Sequence, residues 1–208
     1  MKKPELILDM DDVLINIFKP MRKSLNEFMN QEVTESEFSD YNVTLTYPGL
    51  TLDQFYDVLL TKSVLERGVP VQGAVEATRL LSKEFTLSVV TARGWHPEGK
   101  KITENQLSDH GFCIDRLIVT QPGQSKSSAV SHLSNRFVAI VDDHVGNIHD
   151  AKQSGLFDHH VLIDMPWNKS YETQENTSRH ASVLTWCQSL YEKRIQKHIH
   201  PPISVLSV

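Results

Sequence analysis

The segment Leu6-Ile7-Leu8-Asp9-Met10-Asp11-Asp12-Val13-Leu14 sets a run of large aliphatic residues directly against three acids. An unbroken apolar run that stops at a charged group is the pattern of a strand buried on both faces of a parallel sheet. The run is read as a strand over Glu5–Leu8, and four more of the same kind follow: Leu87–Val90, Arg116–Val119, Phe137–Val141 and His160–Ile163. Helical spacing fills the intervals between the later ones. Ala74–Phe85 carries Ala74, Ala77, Leu80 and Leu81 on one face. Ser127–Leu133 and Asn147–Ser154 are similar, and Gly155 stands where a helix would stop. Strand and helix in alternation predict an α/β fold, a Rossmann-like open parallel sheet with right-handed crossovers.

Residues 16–71 interrupt that rhythm. They hold two helix-like segments, Met21–Met29 and Leu52–Leu65, around a turn-rich middle at Tyr47-Pro48-Gly49. The expectation is a small helical cap (16–71) inserted after the first strand into a core made of 1–15 and 72–208. Near the end, Ser178–Lys197 reads as one amphipathic helix turning Val183, Trp186, Leu190 and Ile195 inward.

Composition sets the broad class. The 208 residues are 39% hydrophobic and 23% charged, as in an ordinary globular protein. The net charge of -5, with both signs interspersed, argues against a surface for long nucleic acid. Two cysteines do not make a disulfide framework, and no apolar stretch approaches the roughly 20 residues that span a bilayer. With no signal-like start, a cytoplasmic enzyme or binding protein is expected. His159-His160 and His198-Ile199-His200 lack partners at ligand spacing and are not read as a metal site.

In open α/β sheets the ligand lies beyond the carboxyl ends of the strands. The residues found there are Asp9 and Asp11, then Thr91 and Ala92, then Lys126 at a helix start, then Asp142 and Asp143. Acids, one hydroxyl and one cation on a common rim suit phosphoryl transfer from a monoester. One aspartate attacks phosphorus, and a second carboxyl protonates the leaving oxygen and later activates water. Carboxylates and phosphate repel, so a hard divalent cation is needed between them, and Mg2+ takes such oxygen ligands. A lysine and a hydroxyl then hold phosphoryl oxygens. Each piece alone is a weak signal; their joint order makes the case.

These four segments resemble the four motifs of the haloacid dehalogenase-like hydrolases, at Leu6–Leu14, Val89-Val90-Thr91, Lys126 and Val141-Asp142-Asp143. The resemblance implies Asp9 as nucleophile, Asp11 as general acid/base, and Thr91, Ala92 and Lys126 around the phosphoryl group. It implies Mg2+ held by Asp9, the Asp11 carbonyl and an acid of the fourth motif, with Asp143 favoured as direct ligand and Asp142 behind it. Three finer features are similar to the 5'(3')-deoxyribonucleotidase group: Asp9–Leu14, Pro70–Ala74 and Ile163-Asp164-Met165-Pro166-Trp167-Asn168. Two features depart from it. Asp12 replaces a usual glycine, and Thr91-Ala92-Arg93-Gly94 differs from the expected Thr-Ser-Pro form.

The resemblance thus implies a small phosphorylated substrate, a nucleotide first, with another phosphomonoester (a nucleic-acid 3'-phosphate or a sugar phosphate) or a catalytically silent binding module as alternatives. Phe18, Phe28, Phe38, Tyr41, Tyr47, Phe55 and Tyr56 are the aromatic residues that could stack on a base. Phe18 and Tyr47 are the first choices, with Arg93 reaching a second phosphate or the sugar side. An apolar cap face could also support a homodimer.

Overall fold

The computed structural model describes residues 3–199 except residue 135, and no side chain beyond residue 192. The sequence expectations for Ile195 and for residues 198–202 therefore concern side chains outside the described set.

In chain order, β1 is Glu5–Leu8, β2 Ile15–Asn16, α1 Phe18–Met29, α2 Val43–Thr46, α3 Leu52–Thr61 and β3 Val69–Pro70. Then come α4 Ala74–Leu81, β4 Thr86–Thr91, α5 Gly99–Asp109, β5 Arg116–Val119, α6 Lys126–Val130 and β6 Phe137–Asp142. The last elements are α7 Val145–Ser154, β7 Phe157–Ile163, β8 Thr177–His180 and α8 Val183–Ile199. The main sheet has the order β5-β4-β1-β6-β7-β8, and every pairing in it is parallel. The α/β expectation holds.

The reason the runs read as continuously apolar is visible in β1. Leu6 and Leu8 enter the core cluster shared with α4 and α8, while Ile7 enters the one shared with α6 and α7. Each strand thus buries both faces. Burying the three β1 side chains at no residual exposure contributes on the order of 2 kcal/mol each. The strand order also fixes where a ligand fits. β1 is central; the chain leaves it toward β4 and β5 on one side, then crosses back to β6, β7 and β8 on the other. The crevice opens at that reversal, over the carboxyl end of β1.

The helical insert has a core of its own, built from Phe18, Met21, Leu25, Val33, Phe38, Tyr47, Leu50, Val58, Leu59 and Val64. It leaves and returns through a two-stranded antiparallel ribbon, with Ile15 opposite Pro70 and Asn16 opposite Val69. That ribbon is too short to read from sequence. The last insert helix ends at Thr61, earlier than the Leu52–Leu65 expectation, because Ser63 takes a positive φ of 48°.

One further expectation is corrected. Ser178–Lys197 is not a single helix: Thr177–His180 forms the edge strand β8, and α8 begins at Val183. A run of Thr-Ser-Arg-His has no apolar signature, and an edge strand needs none on its open side. Val183 and Trp186 face the core as expected, and Leu190 packs against it. The helix α5 was not anticipated either, for its sequence is mostly polar.

Asp12 sits at φ 59°, the left-handed region that favours glycine. Its Oδ1 accepts from the amides of Ile17 (3.1 Å) and Phe18 (3.0 Å), capping α1 where Ile17 has no side chain able to do so. Asparagine supplies the same acceptor and tolerates the same angle. Asp12→Asn is therefore expected to keep wild-type stability, whereas Asp12→Ala should lose about 1 kcal/mol for the cap and about 1 kcal/mol for the backbone. Urea unfolding of the two variants checks this; equal losses would contradict it.

Candidate active site

Asp9 follows β1 directly and is held there by its amide, which donates to the Val141 carbonyl of β6 at 2.9 Å. Asp142 closes β6, and Lys126 opens α6. The lysine Nζ lies 2.6 Å from Asp9 Oδ1 and 2.7 Å from Asp142 Oδ2, so one buried cation bridges two buried acids. Asp143 is the third acid: one carboxylate oxygen from each of Asp9, Asp142 and Asp143 lies within 4.8 Å of the others.

The two adjacent acids differ in what surrounds them. Asp142 is fully enclosed. Its Oδ1 accepts from the His144 amide (2.9 Å) and Asn147 Nδ2 (3.0 Å), and its Oδ2 from Lys126 and Asn147. Asp143 Oδ2 accepts from Trp167 Nε1 at 3.0 Å, and Asn168 Nδ2 donates to the Asp143 carbonyl at 2.7 Å and to Ile163 at 2.8 Å. Trp167 and Asn168 lie on a single 3-10 turn after β7. They buttress the acid, a role that nothing local in the sequence of that segment announces.

Burial and mutual repulsion both disfavour full ionisation of these acids. Burial pushes Asp9 up to about 7; Lys126 pulls it down, while Asp142 and Asp11 push it further up. Burial and the neighbouring acids also hold Asp143 well above the usual carboxylate range. Burial opposes the charge on Lys126, yet Asp142 and Asp9 outweigh it and raise the ammonium above its ordinary value. Three acids with one lysine among them suit a divalent cation. Thr91, at the end of β4 beside β1, is fully buried, and its hydroxyl has no protein partner. Such a group calls for a ligand oxygen. Ala92 follows it, partly exposed. The residues therefore fit both a hard cation and a phosphoryl group.

Asp11 sits across a turn closed by hydrogen bonds from Leu14 and Ile15 to the Met10 carbonyl, each 2.9 Å. Its side chain keeps 26% exposure. Arg93 is corrected from the sequence expectation. It is wholly buried and bound to Asp11, so it offers no substrate contact in this conformation. Phe18 and Tyr47 are corrected as well. Phe18 is edge-on to Phe38 at 4.8 Å, and the Tyr47 hydroxyl donates to Asn26 at 2.6 Å, so both are core of the insert. Tyr41 instead is exposed and lies 3.9 Å from the His144 ring and 6.3 Å from Trp167. Trp95 packs on Tyr56 of α3 at 5.0 Å.

No family model and no curated protein matches the chain. Solved structures do. A haloacid dehalogenase-like family hydrolase from Streptococcus pneumoniae is similar over 90% of this chain and 98% of its own, with TM-score 0.64 at 12% identity. The fold is that of the haloacid dehalogenase-like hydrolases. The HAD-hydrolase YfnB from Bacillus subtilis, in a magnesium-bound form, is similar over 93% and 99%, with TM-score 0.59 at 16% identity. An L-2-haloacid dehalogenase is similar over 90% and 99%, with TM-score 0.57 at 9% identity. At such identities the likeness concerns the fold, and the chemistry has to be argued from the side chains.

The raised acids give a stability signature. A carboxyl whose folded value lies above its unfolded one stabilises fully below the unfolded value and loses that contribution as pH rises through the folded value. With metal chelated, stability is thus expected to fall as pH rises from the unfolded value of 3.8 through about 7 for Asp9. Mg2+ should reverse the fall at pH 8, by about 2.7 kcal/mol at a hundredfold excess over its Kd. Melting with and without chelator across pH checks both; a flat profile, unmoved by Mg2+, would contradict them.

Proposed function

We propose that the protein is a Mg2+-dependent phosphomonoester hydrolase working through an aspartyl phosphate on Asp9. The observation that carries this is the Lys126 bridge between Asp9 and Asp142, with Asp143 beside them and the partnerless Thr91 hydroxyl at the next strand end. In this reading an Asp9 oxygen attacks phosphorus, and the bond from phosphorus to the leaving oxygen breaks. Asp11 donates its proton to that oxygen, then takes one from the water that cleaves the acyl phosphate. Lys126, Thr91 and Ala92 surround the phosphoryl oxygens as charge spreads over them.

Asp9, the Asp11 carbonyl and Asp143 would hold Mg2+, which offsets the repulsion between phosphate and acids. Asp143 is the better candidate for direct contact, since Asp142 already has both oxygens occupied by Lys126, Asn147 and the His144 amide. Carbon–halogen cleavage, the activity named for one structural neighbour, releases a halide that needs no proton. A second acid two residues after the nucleophile and an acid cluster suited to a divalent cation favour the phosphate ester over that chemistry.

The substrate class we favour is a (deoxy)nucleoside monophosphate. Residues 16–71 act as the cap in this reading. Tyr41 from the cap, His144 beside Asp142 and Trp167 beside Asp143 place aromatic faces together at the phosphate end of the crevice. Such faces suit a planar base. Sugar phosphates and 3'-phosphorylated oligonucleotides are the competing substrates. Among the described residues no helix is long and apolar enough to cross a membrane.

Turnover of deoxynucleoside 5'- and 3'-monophosphates, sugar phosphates and a 3'-phosphorylated oligonucleotide with Mg2+ tests the reading. Asp9→Asn should abolish turnover, and Asp11→Asn should lower kcat by about 10²–10⁴. Tyr41→Ala should raise KM for nucleotides about tenfold, the loss of one stacking contact, and leave sugar phosphates unchanged. Wild-type activity in Asp9→Asn, or no turnover of any ester by the wild type, would contradict it.

A further inference from the structure

Arg93 follows the strand-end residues Thr91 and Ala92, a position at which a cation would ordinarily reach the substrate. The structure gives it other work. The side chain is fully buried. Its Nε donates to Asp11 Oδ1 (2.9 Å) and Oδ2 (3.2 Å), and its Nη2 to Oδ1 (2.5 Å). Nη1 donates to Thr103 Oγ1 (3.0 Å) and Gln106 Oε1 (2.7 Å), both on α5. Four donor directions of the five are thus committed within the protein. A buried guanidinium is tolerated only when paired, and Asp11 is the acid that pairs it.

The partners are themselves fixed. Thr103 Oγ1 donates back to the Gly99 carbonyl at 2.7 Å. Gly99 must be glycine, because a Cβ there would stand 2.1 Å from the Arg93 carbonyl oxygen. Gln106 Nε2 donates to the Leu65 carbonyl at 2.6 Å, in the segment that leads to β3. At Gly68, three residues on, a Cβ would press on Ile15 and approach Gln106 Nε2 at 3.2 Å. A continuous hydrogen-bonded chain therefore runs from the partly exposed Asp11 through the buried Arg93 and Gln106 to Leu65, near the end of the insert.

We propose that Arg93 is a positioning residue that fixes the orientation of the Asp11 carboxyl, and that Gln106 ties this pair to the closing part of residues 16–71, at Leu65. This deepens, and rests on, the phosphohydrolase reading, in which Asp11 moves the proton. Arg93 donates to both Asp11 oxygens through Nε and again to Oδ1 through Nη2, while the Asp11 side chain keeps 26% exposure. The planar fork explains why arginine occupies this position: lysine offers a single point of attachment and cannot fix the plane.

The two half-reactions separate this role from a merely structural one. p-Nitrophenolate leaves without a proton, whereas an alkoxide does not. Arg93→Met and Arg93→Lys are compared with wild type on p-nitrophenyl phosphate and glycerol 2-phosphate, with Mg2+. Turnover of the alkyl ester should fall about 10²-fold or more with little change in KM, the range for a misplaced general acid. On the aryl ester the first-turnover burst of nitrophenolate should stay within about tenfold of wild type, because Asp9 and its binding groups are intact. Phosphoenzyme should then accumulate, seen by intact-protein mass, since Asp11 no longer activates water. Gln106→Leu should show the same pattern several-fold more weakly. If Arg93→Met does not fold, Arg93→Lys, which retains a charge, carries the comparison.

Equal losses on both esters without phosphoenzyme would overturn the assignment, as would a KM increase at unchanged kcat, the mark of a substrate contact. A wild type inert toward both esters would overturn the phosphohydrolase reading itself, an outcome distinct from failure of the Arg93 variants alone.

Discussion

The Lys126 ammonium, 2.6 Å from Asp9 and 2.7 Å from Asp142, is the contact on which the rest of the structure depends. Three carboxyls from two neighbouring strand ends cannot share a dry pocket unaided, because burial and mutual repulsion both oppose their charges. One lysine from the start of a short helix relieves part of that cost. The sheet order makes the meeting possible: β1 and β6 are adjacent and parallel, so their carboxyl ends deliver Asp9 and Asp142 side by side. Asp9, Asp142 and Asp143 grouped around one lysine form a set that could hold a metal ion.

Around that cluster the protein builds two supports from opposite directions. The turn after β7 brings Trp167 and Asn168 against Asp143, and the start of α7 brings Asn147 and the His144 amide against Asp142. On the other side Arg93 holds Asp11, and Thr103 and Gln106 in turn accept from Arg93. Asp11, Asp142 and Asp143 therefore differ in their donors, while Lys126 is shared between Asp9 and Asp142. Trp167 also touches Phe18 of the insert at 5.1 Å, and Tyr41 of the insert touches His144. The insert thus meets the core at residues adjacent to the acids.

What was legible in the sequence follows from burial. The strands announce themselves because both faces are covered, so Leu6, Ile7 and Leu8 form one apolar run that can end only at a surface or a site. The acid, hydroxyl and lysine positions at the strand ends follow from that geometry. Assignments that needed three-dimensional neighbours failed. Arg93 reads as a cation reaching a second phosphate or the sugar side, since arginine is seldom fully buried, and nothing local announces that Asp11 lies opposite it. Phe18 and Tyr47 cannot be told from Tyr41 by composition, because a small helical insert fills its core with the same aromatic residues it might present to a ligand. The edge strand Thr177–His180, polar on its open side, carries no periodic signal at all.

The claim at the centre of this account is that Asp9 becomes phosphorylated. The most direct measurement is borohydride reduction of the protein quenched during turnover of a phosphomonoester with Mg2+, followed by peptide mass mapping. An acyl phosphate on Asp9 is reduced to homoserine, and the account expects that change at residue 9 and at no other carboxyl. Sustained turnover with an unmodified Asp9, or modification at Asp11, Asp142 or Asp143 instead, would contradict it.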